Sequence, residues 1–198
     1  MVTKEVSSKE KLICATIQLM SKRGFESMGI NSILEAADVS KSNFYYHFKS
    51  KEELCLAAFE AMSTEFFGSY IDPILSDTKS SPKKRLQKLI NFFKQKMTEA
   101  ECCGGCPFTN LAAETADFYP GFRERISKHY TDYANRLASC YEEGVQKGEF
   151  TEKIKPTQAA QMILSLMNGT MLMAQLQKDL SIIDSNSKAL FSLLSKGE

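Results

Sequence analysis

Residues 24–54 read GFESMGINSILEAADVSKSNFYYHFKSKEEL, and the folding of this stretch decides the reading of the whole chain. INSILEAA carries apolar residues at helical spacing and leads into Ala37-Asp38-Val39-Ser40, a turn sequence. Ser40 stands where an N-cap is needed, so KSNFYYHF reads as a further short helix. Phe44 and Phe48 lie four apart and, with Val39, supply one apolar face. Lys41, Ser42, Asn43, Tyr45, Tyr46 and His47 are left pointing outward. Short helices joined by this tight turn predict a helix-turn-helix, whose second helix enters the DNA major groove. Adjacent exposed tyrosines are costly on a monomer's surface. They gain a use when phenol hydroxyls bond phosphates and rings pack on sugars. The competing reading is an aromatic-rich surface helix of a bundle that meets no nucleic acid.

The flanks extend the pattern. SSKEKLICATIQLMSKRGF has apolar residues near a 3.6 repeat, with Ser7 or Ser8 as cap and Gly24 as stop. Ser50, followed by Glu53 three residues on, forms a capping-box signature that opens SKEELCLAAFEAMSTEFFGSYI. That helix fades in DPILSDTKSSP. Lys51, at its start, is a candidate phosphate contact beside backbone N–H groups. Residues 1–51 hold eight Lys/Arg against five Asp/Glu, an excess of three, while the 198-residue chain carries +1. The basic excess therefore sits on this arm, the polarity that DNA binding requires.

Helical signals continue over 82–100, FTNLAAETADF, 156–179 and 184–195. From Pro120, Phe122, Ile126, Tyr130, Tyr133, Leu137, Tyr141 and Val145 step by three or four until Gly148. Strand alternation and internal repeats are absent. The expectation is an all-α fold of about nine helices, with a DNA-binding domain at 6–66 and a second domain at 67–198. A hydrophobic content of 43% suffices for a real core, and no apolar run approaches the roughly 18 to 20 residues of a membrane span. The polar start MVTKEVSSKEK has no apolar signal core. These features predict a cytoplasmic protein with no membrane partner, whose cysteines are reduced thiols.

Three of the six cysteines fall in ECCGGCPF, residues 101–108. A tetrahedral zinc site needs four ligands. Cys103-x-x-Cys106 has no second pair, and His47 and His129 stand alone, so neither metal nor cofactor is expected. A nucleophilic thiol wants a neighbouring base, and no such grouping is visible; a Cys-nucleophile helical enzyme and a non-DNA adaptor remain the alternatives. Pro107 suits the first turn of a helix and Gly104-Gly105 a sharp entry, which places Cys106 at or next to the N-cap. Unsatisfied N–H groups and the helix dipole favour thiolate there, so its pKa should fall and electrophiles or oxidants should find it. Cys102 and Cys103 would be resolving partners. The alternative is that Cys106 is a small buried hydrophobe. Cys14, Cys55 and Cys140 read as core.

Two recognition helices about one helical turn apart, roughly 34–36 Å, or a multiple of it, read a pseudo-palindrome. One chain carries one such helix, so a homodimer is expected. Its seam is placed on Ile163, Leu166, Thr170, Met173, Leu190, Leu193 and Leu194. Met162, Met167 and Met171 read as core filler. Phe92, Phe93, Phe108, Phe118, Phe122, Tyr130 and Tyr133 are candidates to line an inducer cavity, or equally to form ordinary core.

The ordered landmarks Gly24-Phe25, the helix 30–37, Ala37-x-Val39-Ser40-Lys41, Phe44-Tyr45-Tyr46-His47-Phe48 and Lys51-Glu52-Glu53-Leu54 resemble the DNA-binding domain of the TetR family of bacterial transcriptional regulators. The resemblance implies Lys41, Ser42 and Asn43 nearest base edges. It implies Tyr45, Tyr46, His47 and Lys51 on phosphates, and Asn31 and Ser32 on the flanking backbone. Two positions depart from the family pattern: Met28-Gly29, where a pair of hydroxyl residues is frequent, and Ser42, where glycine is common. GGCPFTNLAAETAD resembles a stretch of one TetR branch that includes electrophile-responsive regulators of reductase genes. The implied function is a homodimeric repressor released from its operator by a small-molecule inducer or by modification of Cys106. The family also implies a four-helix seam made by the last two helices of each copy.

Overall fold

A computed structural model describes residues 6–196. Residues 1–5 of the polar start, and residues 197–198 of the expected second domain, lie outside the described residues. The helices are α1 (Ser8–Arg23), α2 (Ile30–Ala37), α3 (Lys41–His47) and α4, which begins as Lys51–Glu65. The helix α4 continues through a π-helical stretch, Phe66–Ile71, into the α-helical turn Asp72–Leu75. Then follow α5 (Pro82–Glu99), α6 (Pro107–Thr115), α7 (Pro120–Gln146), α8 (Pro156–Gln177) and α9 (Ser181–Leu194). Among the described residues the extended pairing is confined to one bridge, Phe150 with Ser195. The fold is all-α, as the periodicity predicts.

Local chemistry sets the boundaries. Ser7 caps α1 in a capping box with Glu10, and Gly24 ends it at φ 75°. Ser40 accepts from the Asn43 N–H at the start of α3. Ser50 accepts from the Glu53 N–H, while the Glu53 carboxylate reaches back to the Lys49 N–H at 2.7 Å. The second half of the expected capping box is thus shifted by one residue. Asp38 adopts left-handed φ, ψ of 51° and 52°, making the tight α2–α3 turn.

The chain packs as two compact units. The first joins the chain up to Phe66 with Pro107–Ile126. The second joins Phe67–Cys106 with the chain from Ser127 onward. The expected division at residue 66 is therefore interrupted. Residues 107–126, assigned by sequence to the second domain, pack with the first because their aromatics find partners there. Phe108 meets Phe59 and Phe66 edge-on at 5.9 and 5.0 Å, and Phe122 meets Phe25 at 5.1 Å. Leu12, Ile33, Phe44, Phe48, Leu54 and Ala58 complete this core, each large side chain contributing about 1.5–3 kcal/mol by burial.

In the second unit Arg85, 3% exposed, donates to the Leu75 carbonyl at 2.6 Å and pairs with Glu143, fixing α5 to α7. Phe67 packs between His129 and Tyr133, with the Arg136 guanidinium 4.2 Å from its ring centroid. Tyr141 and Phe150 stack at 4.9 Å. Asn186 of α9 donates to Thr170 of α8 at 2.8 Å.

Candidate nucleic-acid interface and thiol loop

Phe44 is fully buried and Phe48 is 3% exposed, so α3 is anchored by the two residues the spacing selected. Anchoring that face leaves Lys41, Ser42, Asn43, Tyr45 and Tyr46 exposed, with Tyr46 at 82% and Tyr45 at 52%. Asn31 at the start of α2 is exposed as well. These six side chains combine amide, hydroxyl, phenol and ammonium donors, the chemistry that reads base edges and grips phosphates. The Ser42 hydroxyl lies 3.0 Å from that of Ser40, which steadies the first turn.

Three other candidates are turned to intramolecular partners. The His47 Nε2 lies 2.8 Å from the Ser8 hydroxyl on α1. The Ser32 hydroxyl donates to the Gly29 carbonyl at 2.7 Å. Lys51 points inward: its Nζ donates to the carbonyls of Phe25 and Met28 at 3.0 and 3.1 Å and lies 4.1 Å from the Phe25 ring centroid. Lys51 was expected on phosphate because it opens a helix. The nearer acceptors are the carbonyls of the α1–α2 loop, which folds across it.

The other face of that loop is held by a residue the sequence reading did not single out. The Glu114 carboxylate of α6 accepts from the N–H groups of Phe25 at 2.7 Å and Glu26 at 3.2 Å. Tyr119 donates to the Glu26 carboxylate at 3.1 Å, which holds that phenol's pKa above its ordinary value. Glu114 lies within the quoted GGCPFTNLAAETAD stretch, but its partners are 88 and 89 residues away, a pairing no local pattern reveals.

The loop between α5 and α6 carries Cys102, Cys103 and Cys106. Glu101, Cys102, Gly104 and Gly105 all take positive φ, between 50° and 80°. For the two non-glycine residues this costs about 1–2 kcal/mol each. The cost is offset by fixed bonds: Cys102 and Cys103 N–H donate to Met97 and Ala100 carbonyls at 2.8 Å, and the Lys178 ammonium donates to the Cys102 carbonyl at 2.9 Å. Cys103 is exposed, with Lys178 Nζ 3.4 Å from its sulfur. Cys106 is half-buried, immediately before Pro107, with the Tyr130 hydroxyl 3.9 Å from its sulfur. Cys102 is buried. Lys178, at the end of α8, is a second residue missed by sequence; it reaches the loop from 75 or more positions away.

Elsewhere, burial pushes the Cys55 thiol up to about 12 and Cys140 to about 11, so both stay protonated as core thiols. Cys14, expected in the core, is exposed: the buried side of α1 is formed by Leu12, Ala15, Thr16 and Met20. All six thiols are free, and no group of three or more metal-binding side chains occurs among the described residues.

The expected cavity-lining aromatics do not converge. Phe118 is 77% exposed, because it lies in the turn between α6 and α7. Phe108 and Phe122 are core of the first unit. Phe92 stacks on Tyr70 at 5.0 Å, and Tyr133 packs against Phe67. Phe93 lines an apolar cavity of about 30 Å³ with Ile90, Met167 and Ile183, far below the roughly 300–1,000 Å³ of ligand pockets. Tyr130 instead borders an open groove of about 420 Å³ between α7 and α8, with Ser127, Asn135, Gln161, Ser165 and Asn168.

Of the expected seam, Met173 and Leu193 are exposed, whereas Ile163, Thr170, Leu190 and Leu194 are buried within their own unit. Met162, expected as filler, is 37% exposed; together with Leu172, Met173 and Leu176 it gives α8 an apolar outer face. No helix among the described residues is long and apolar enough to cross a membrane.

The family model described as bacterial regulatory proteins, tetR family, matches residues 12–58, and the tetracyclin repressor-like C-terminal domain matches residues 82–190. The chain is 30% identical over 185 residues to the HTH-type transcriptional repressor NemR of Escherichia coli K12, covering 88% of this chain and 87% of NemR. It is 28% identical over 180 residues to an uncharacterized HTH-type transcriptional regulator in the lacX 3′ region of Lactococcus lactis subsp. lactis, covering 91% and 89% of the two chains. Among solved structures, a regulatory protein TetR from Rhodobacter sphaeroides matches with a TM-score of 0.86 at 25% identity, over 94% of this chain and 98% of that one.

Proposed function

The chain belongs to the TetR family of bacterial regulatory proteins, which are DNA-binding transcriptional regulators and not enzymes; from that premise we propose that it is a cytoplasmic homodimeric repressor whose two α3 helices enter successive major grooves of a pseudo-palindromic operator. The observation that carries this reading is the division of α3, with Phe44 and Phe48 buried and Lys41, Ser42, Asn43, Tyr45 and Tyr46 exposed. The two adjacent phenols meet Phe44 and His47 edge-on yet stay largely in water, and a phosphate backbone gives their exposed hydroxyls a partner. Asn43 is suited to adenine, which its amide can bond in bidentate fashion. The exposed apolar side chains of α8, with Leu193 of α9, support a self-interface that holds two heads at operator spacing.

Release from the operator follows from modification of the thiol loop, with Cys106 at the entry to α6 as the sensor and Cys103 as an accessible partner. The strained backbone at Glu101 and Cys102 supports a loop able to change state. A second reading is a noncovalent inducer; the roughly 420 Å³ groove beside Tyr130 favours it, with amides and hydroxyls suited to an uncharged polar compound.

The test is a footprint on DNA beside the protein's own gene, with and without oxidant. A protected pseudo-palindrome, lost on oxidation, is the expected result. Affinity should fall steeply with salt, and Asn43→Ala should relax sequence preference. Binding that ignores salt, or an Asn43→Ala variant with unaltered preference, would remove α3 as the reading element.

A further inference from the structure

The helix α6 is nine residues long and begins at Pro107, the residue bonded to Cys106; Glu114 is its eighth residue. The Glu114 carboxylate takes the Phe25 and Glu26 N–H groups, while the Lys51 ammonium takes the Phe25 and Met28 carbonyls. The loop is therefore held by an anion on its donors and a cation on its acceptors, bonds about twice as strong as neutral ones. The carboxylate lies directly on Gly24: a Cβ there would be 2.2 Å from Glu114 Oε1, and the residue needs its φ of +75°. This loop leads into Gly29, which starts α2 without any side-chain cap. The entry into α2 is thus set by this loop and by burial of Ile33 and Ala37, with no side-chain cap at its start.

We infer that Glu114 is the positioning residue through which α6 sets the helix-turn-helix, and that a change of state at Cys106 alters operator affinity by moving this carboxylate off the α1–α2 loop. The inference rests on the thiol-responsive reading proposed above. A helix of nine residues is about 13 Å long and moves as one piece. A displacement of about 1 Å at Glu114 takes a 2.7 Å bond beyond hydrogen-bonding range. Coupling then needs only that the two placements of α6 differ in DNA affinity.

The experiment compares full-length protein with Glu114→Gln, before and after N-ethylmaleimide. In that reaction the thiol proton leaves to water and the thiolate sulfur bonds an alkene carbon. The C=C π pair shifts to the neighbouring carbon, which then takes a proton from water. Operator dissociation constants are measured in all four states, and adducts at Cys106 are mapped by mass spectrometry, since exposed Cys14 and Cys103 also react. Wild type is expected to lose affinity within the roughly 5- to 150-fold range of ordinary allosteric coupling. Glu114→Gln, labelled at Cys106 to the same extent, is expected to change by less than about twofold. A merely structural Glu114 would lower the melting temperature and basal affinity and leave the ratio intact; that result overturns the inference. Wild type that is labelled at Cys106 yet keeps its affinity removes the thiol reading, and this route with it. Should Glu114→Gln fail to fold, Glu114→Asp, which keeps the charge but shortens the reach to the Phe25 and Glu26 N–H groups by one methylene, decides: a reduced ratio supports the inference and an unchanged ratio overturns it.

Discussion

Lys41 and Lys51 carry the same charge ten positions apart, yet only Lys41 is exposed; Lys51 is half-buried beneath the α1–α2 loop. A lysine on phosphate contributes to the salt dependence of DNA binding, and a lysine on carbonyls contributes to stability. Lys41→Ala should therefore reduce the slope of log affinity against log salt by about 1. Lys51→Met should leave the slope unchanged and lower unfolding free energy by about 1–3 kcal/mol, read by urea titration. A change of slope in the Lys51 variant would put that ammonium back on DNA. His129 gives a second residue-scale prediction. Burial brings its pKa down to about 4, with Asp132 opposing and Arg136 assisting. The unfolded chain takes up this proton near pH 6.5, so stability is full above that pH and declines as pH falls toward about 4. The loss is about 3 kcal/mol. Glu143, held at about 2 by Arg85 and Lys147, adds a separate loss only below its unfolded value near 4.5. Melting temperatures of His129→Gln between pH 6.5 and 5 should be nearly flat where wild type slopes; parallel curves would show that another group titrates there.

At the scale of elements, helix periodicity located α1 to α9 within a few residues, because buried stripes repeat at 3.6 and most starts have a hydroxyl or proline to mark them, α2 behind Gly29 being the exception. Ser40 and Ser50 cap where expected, since capping needs only residues three positions apart. The exposed side of α3 was readable for the same local reason. What escaped were contacts closed over long sequence distance. Glu114 and Lys178 each serve a loop 75 or more positions away, and Lys51 is turned inward by a loop 23 to 26 positions upstream. The π-helical stretch Phe66–Ile71 reads by sequence as ordinary helix, with the fading placed after it in DPILSDTKSSP. Its sequence, FFGSYI, carries no signature that separates an i→i+5 ladder from an α-helical one. Cys14 was misplaced because α1 is amphipathic only weakly, so apolar spacing alone left its facing ambiguous.

The proposed dimer presents two reading heads, and the apolar outer face of α8 with Leu193 on α9 is the surface proposed to join them. Leu176 and Leu193 are 67% and 53% exposed. Replacing both by Glu should convert a dimer to monomers in sedimentation velocity and weaken operator binding by tenfold or more, about 1.4 kcal/mol or above. A variant that stays dimeric would move the seam elsewhere. At this scale the expected break at residue 66 is interrupted by Pro107–Ile126, which joins the first unit through Phe108 and Phe122. The amino-acid order by itself determined the helices, the turn at Asp38, the buried pair Phe44 and Phe48 and the outward face of α3, because each depends on residues a few positions apart. Only the tertiary structure decided that α6 packs with the DNA-binding unit, that Glu114 and Lys51 grip the same loop from opposite sides, and which thiols face water. Those outcomes depend on which distant surfaces bury one another, and the period of a helix does not record its partner.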